Sequence, residues 1–216
     1  MVFITEKTYV STKPVIILLP AVDQEGKGIL IPLNVESKPG TGKILMNIDN
    51  PSFILDTQES IRLAVKEAGR ITGYDLSKVD IIFSLKTNVS IVGGPSAGAA
   101  MSAAAVAVLL NKKINENVTI TGSVEENGFI GSVGSIAEKA LAAKNAGIKT
   151  LLVPPGQSVV ETPVQNCTEK KGAGWVQREC YTSFQKMNVS EEVGINIIEV
   201  EKIESALKYL VEGYET

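Results

Sequence analysis

The residue with the strongest case for covalent chemistry is a serine that a glycine-rich turn delivers to an alanine-rich stretch, in Gly93-Gly94-Pro95-Ser96-Ala97-Gly98. The first turn of a helix leaves backbone N–H groups unpaired and carries the positive end of the dipole. An oxyanion forming beside Ser96 would therefore meet donors already in place. Pro95 has no N–H, so the donors are the amides of Ser96 and of Gly94 or Gly93. A nucleophilic serine also needs a base, and the chain contains no histidine. That absence excludes Ser-His-Asp and Cys-His catalysis and His-containing zinc sites. A lysine kept neutral by burial remains, and lowering its pKa from about 10.4 to about 7–8 takes roughly 4 kcal/mol. On a helical wheel Lys139 falls between Ala143 and Ala146, and Lys144 also borders apolar positions. Periodicity does not choose between them. Taken alone, the serine string also describes an N-capped buried helix, and either lysine also fits an ordinary snorkelling side chain.

These residues need elements to position them. Val15–Leu19, Gly28–Val35 and Lys43–Ile48 read as strands in an opening meander, and 55–71 carries Ile61, Ala64, Val65 and Ala68 at helical spacing. Val79–Leu85 is a β-branched strand, and the alanine richness of Ser96–Leu110 predicts a buried helix. Val118–Thr121 reads as a strand, followed by a Gly- and Ser-rich stretch without periodicity over 122–134. Ser135 and Glu138 have the spacing of a capping box for a helix that Gly147 stops. Lys149–Val153 is a buried strand, 156–194 is polar and irregular, and Ile195–Val200 and Ile203–Leu210 read as a closing strand and helix. Strands mixed with single helices predict an α+β fold, a mixed α/β sandwich, in one domain spanning 1–216.

Composition narrows the partners. The net charge is −3 and the pI about 5.2, with basic residues scattered rather than clustered, so nucleic acid is excluded as a partner. The longest apolar run, Ala97–Leu110, falls short of the roughly 18 residues of a membrane span, and Met1–Val10 lacks the pattern of a signal peptide. No metal site or bound cofactor is expected. Pro39-Gly40-Thr41-Gly42-Lys43 shares a Gly-Lys pair with a Walker A loop, but that motif needs Gly at 37 and Ser or Thr at 44, where Ser37 and Ile44 stand. A hairpin turn is expected instead. Cys167 and Cys180 would close a loop worth about 3 kcal/mol if bridged, and a reduced pair is equally compatible with two cysteines. A bridge would imply an oxidising compartment, at an extracytoplasmic face; a reduced pair leaves the cytoplasm open.

The stretch from Gly93 to Pro155 closely resembles the proteolytic domain of Lon proteases, in which a Gly-Pro-Ser-Ala-Gly loop carries the nucleophile. That family's catalytic lysine lies in a helix entered by a string matched here by Gly134-Ser135-Ile136-Ala137-Glu138-Lys139. The separation between Ser96 and Lys139 agrees with the family without a gap. The resemblance runs back through PGTGK and Gln58-Glu59-Ser60 and forward to IESALKYL, leaving the cysteine-containing segment at about 156–194 as an unmatched insertion. It implies Ser96 as nucleophile, Lys139 as general base and Thr121 as a hydroxyl that orients the lysine. It also implies the Lon proteolytic fold, related to the ribosomal-protein-like and GHMP superfold. Three positions depart from the family: Ser123 stands where an acidic residue is common, and Val92-Gly93 replaces the usual Lys-Asp. Substrate preference is therefore not carried over.

The resulting expectation is a serine endopeptidase using a Ser-Lys dyad and an acyl-enzyme on unfolded protein or peptide. No ATPase motif is complete here, so a motor would be a separate partner, as would a membrane anchor. The family's ring formation leaves a homo-oligomer and a monomer both open. A noncatalytic interaction module on a retired protease fold is the main rival. A GHMP-type small-molecule kinase would account for the glycine-serine loop but not for the spacing to Lys139.

Overall fold

Alternation of apolar and polar residues builds the first hairpin. In β1 (Val15–Val22) the side chains of Val15, Ile17 and Leu19 are buried while Ile16 faces outward. Ile31, Leu33 and Val35 do the same in β2 (Gly28–Pro39), which pairs antiparallel with β1. The structure is a computed structural model that describes residues 12–48, 55–85 and 94–215. β3 (Ile44–Ile48), α1 (Leu55–Thr72) and β4 (Val79–Leu85) follow in the chain. The sheet order is β1-β2-β4-β3, with β4 antiparallel to β2 and parallel to β3.

That order corrects the expected hairpin at PGTGK. The segment carries the chain across the start of β4, from one neighbour to the other, and wraps the carboxylate of Asp80. The backbone N–H groups of Thr41 and Lys43 donate to Asp80 Oδ1 at 2.8 and 2.9 Å. These two bonds, Lys43 first, hold the Asp80 carboxyl below the usual carboxylate range. A Cβ on Gly40 would lie 2.1 Å from Asp80 Cγ, so only glycine admits the carboxylate there. The Gly-rich string binds an anion, but one that belongs to the chain itself.

A 3-10 turn over Pro95–Ala97 leads into α2 (Gly98–Leu109), in which all twelve residues are buried. Its small side chains let it run through the middle of the core, against α1, β1 and β2. β5 (Val118–Ile120) ends one residue before Thr121. The Gly- and Ser-rich stretch without periodicity holds two short paired strands, β6 (Ser123–Val124) and β7 (Ile130–Gly131). The next helix is α3 (Ile136–Asn145). Ser135 precedes it in left-handed conformation, φ 59°, and its side chain makes no capping bond, so the expected capping box does not form. Its carbonyl instead accepts from Lys139 N at 3.1 Å.

β8 (Thr150–Val153) is followed by the main departure from expectation. The segment expected to be irregular forms β9 (Val159–Gly172) and β10 (Trp175–Asn188), an antiparallel hairpin of fourteen-residue strands. Most of both faces meets solvent, so no apolar alternation marks these strands in the sequence. α4 (Val189–Val193), β11 (Asn196–Glu199) and α5 (Ile203–Leu210) close the chain. β11, β8 and β5 form a second, parallel sheet. The architecture is α+β. One core lies between the first sheet, α1, α2 and α5; a smaller one joins α3, β8, α4 and Ile195.

Candidate active site

Ser96 sits half-buried in the 3-10 turn that opens α2. Its carbonyl accepts from the N–H of Gly122 at 2.9 Å and, more distantly, from the Thr121 hydroxyl at 3.5 Å. The N–H of Ala99 in turn donates to Gly122 O at 3.1 Å. The serine turn is thus stitched to the residues that follow β5. Gly98 makes this close approach possible, because a Cβ there would lie 2.8 Å from the Val124 backbone nitrogen. Gly94 is extended, and its N–H and that of Ser96 lie at the helix entrance where the oxyanion donors are expected. Gly93, the other expected donor, lies outside the described residues.

Thr121 is fully buried, and its N–H donates to Leu152 O of β8 at 3.0 Å. Lys139 projects from α3, whose Ile136, Ala140 and Ala143 pack with Leu151 and Val153 of that strand. β8 therefore supports Thr121 by hydrogen bonding and the lysine helix by packing. Lys139 is 3% exposed, and among the described residues its ammonium has no ion pair or hydrogen bond. Burial lowers its pKa from 10.5 to about 8, against a smaller upward pull from Glu138. Lys144, which periodicity leaves equivalent, instead ties two helices together, its Nζ donating to Val193 O at the end of α4 at 2.6 Å. The structure thus joins Ser96 to Thr121 and distinguishes Lys139 from Lys144, but no hydrogen bond connects Ser96 Oγ to Lys139 Nζ.

Other residues near these elements have no signal in the sequence. Gln157 clamps the loop before α3: its Nε2 donates to Val133 O at 2.7 Å, and its Oε1 accepts from Val133 N at 3.0 Å. Arg70 on α1 donates to buried Glu67 and to Glu204 of α5, both at 2.6 Å, tying those helices together. The Gln157–Val133 and Arg70–Glu204 pairs join residues distant in sequence, where local pattern carries no information. Cys167 and Cys180 stand directly opposite across the β9–β10 ladder and form a disulfide. Among the described residues no group of three or more His, Cys, Asp or Glu side chains could hold a metal ion. No described helix is long and apolar enough to cross a membrane.

Comparison with known proteins matches residues 59–166 to the Lon protease (S16) C-terminal proteolytic domain. The matched stretch ends at Asn166, within β9. A Lon protease of Lachnoclostridium phytofermentans is 30% identical over 131 residues, covering 59% of this chain and 16% of that protein. One from Buchnera aphidicola is 43% identical over 77 residues, covering 36% of this chain and 10% of its own length. The Paraburkholderia phytofirmans Lon protease is 30% identical over 130 residues, with 59% and 16% covered. The chain thus spans about a sixth or less of the length of these relatives. With half of its residues matched by the family model, the chain belongs to the family of Lon protease C-terminal proteolytic domains.

Proposed function

We propose that the chain is a serine endopeptidase in which Ser96 is the nucleophile and Lys139 the general base. The observation that carries this reading is Lys139 itself, buried without a counter-ion among the described residues and titrating near pH 8, in a chain without histidine. In the reaction Ser96 Oγ attacks the carbonyl carbon of a peptide bond while neutral Lys139 takes the hydroxyl proton. The oxyanion settles on the N–H groups of Ser96 and Gly94 or Gly93. Lys139 then passes its proton to the leaving nitrogen as the C–N bond breaks, leaving an ester on Ser96. Water attacks that ester, giving one proton to Lys139, which returns it to Ser96 Oγ as the acid product leaves. Thr121 supports the cycle: its hydroxyl proton points toward Ser96 O, so its lone pairs are free to accept from the Lys139 ammonium. Serine and lysine come into hydrogen-bond contact when substrate binds, a tightening common to catalytic pairs.

The substrate class is an unfolded protein or a peptide, and no nucleotide bound to these residues drives the reaction. Hydrolysis of unfolded casein, followed by mass spectrometry of the products, tests the assignment. Ser96→Ala and Lys139→Ala should each lower the rate at least about a thousandfold. Cleavage retained by either variant would overturn it.

A further inference from the structure

We propose that the free edge of β3, together with the adjoining face of α1, is a docking groove for an extended acidic segment of a partner protein. It lies at the opposite edge of the first sheet from β1, the strand that packs beside the serine turn. Among the described residues β3 pairs only with β4 and closes the sheet order at that side. Its sequence, Ile-Leu-Met-Asn-Ile, has no charged residue or proline of the kind that usually guards an exposed edge, and Ile44 and Leu45 are 38% and 39% exposed. Between this edge and α1 opens a groove of about 410 Å³ with an apolar floor that includes Ile44, Val65 and Ile81.

The charge around the groove selects the partner. Among the described residues lining it, the charged side chains are Lys43, Arg62 and Lys66, all basic, in a chain whose net charge is −3. Lys43 lies near the Asp80 carboxylate, which takes up part of its charge. Arg62 and Lys66 stand one helical turn apart on exposed positions of α1, and neither has an ion pair among the described residues. Like charges at that spacing weakly destabilise a helix, so the arrangement contributes nothing to folding. A strand added to β3 would pair its backbone with the open edge. Its inward side chains would alternate over the groove, apolar residues on Ile44 and Val65 and carboxylates toward Arg62 and Lys66.

The test uses fluorescein-labelled Val-Thr-Glu-Thr-Val-Thr-Asp, in which valines and carboxylates alternate along one face, and its counterpart with lysine at each acidic position, titrated by anisotropy against the Ser96→Ala protein so that no probe is hydrolysed. The acidic peptide should bind, the basic one at least tenfold more weakly. Arg62→Glu combined with Lys66→Glu, both on the surface, should weaken the acidic peptide at least tenfold while leaving the circular dichroism unchanged. N-methylation of alternate peptide nitrogens should abolish binding if the edge is the contact. Equal affinity for both peptides, or no effect of the charge reversal, would overturn the proposal. So would a dimer that dissociates on charge reversal while the acidic peptide fails to bind, which would make a second copy the occupant.

Discussion

Lys139 places a titratable amine where folding disfavours its charge. Its folded pKa of about 8 lies below the ordinary 10.5. The unfolded chain therefore holds more protons than the folded one between those values, and stability rises with pH across that window. Below pH 8 the whole penalty is present, on the order of 3 kcal/mol from the size of the shift. Lys139→Met should accordingly raise stability in urea titrations at pH 7 by about that amount, with the gain shrinking between pH 8 and 10.5. A gain independent of pH would mean that packing, not charge, is responsible. At this scale the sequence is informative about Ser96, because a glycine-proline turn before an alanine run is a local pattern. It is silent on Lys139 against Lys144, since what separates them is the Val193 carbonyl, 49 residues from Lys144.

Among the elements, β8 and the loop that follows it hold the candidate site together. Thr121 bonds to it, α3 packs on it, and the Gln157 side chain just beyond it clamps Val133 ahead of Lys139. Gln157→Ala removes both bonds of that clamp. Loosening the start of α3 should lower kcat about tenfold or more through misplacement of Lys139. It should also admit water to the amine, moving the rising limb of the pH–rate profile upward from about 8. A lower rate with an unmoved limb would assign Gln157 to stability alone. Strands and helices with one buried face, such as Val79–Leu85 and Ile203–Leu210, are legible to the residue. PGTGK and Ser135 mislead because each has a local signature that a tertiary contact overrides: the Asp80 carboxylate in one, the left-handed entry to α3 in the other.

At the scale of the molecule, the α+β class follows from the periods along the chain, whereas the β9–β10 hairpin does not. Its residues contribute little to either core beyond Val160 and Met187 at the base, so hydrophobic pattern could not reveal it. The Cys167–Cys180 bridge accordingly secures the hairpin rather than the body. Reduction should speed amide hydrogen exchange within 161–186 while α2 and the β8 core keep their protection, read by mass spectrometry. Loss of protection throughout would show instead that the hairpin and the body unfold together.

The central claim is that Ser96 is activated by a desolvated lysine. It is tested most directly by the rate at which a peptidyl β-lactone esterifies Ser96 as a function of pH, with the modified residue located by mass spectrometry. The account predicts acylation at Ser96 that rises through an apparent pKa of about 8, without an inflection near 6.5, and that disappears in Lys139→Ala. Acylation of Ser96 at an undiminished rate in Lys139→Ala, or of another residue, would contradict it.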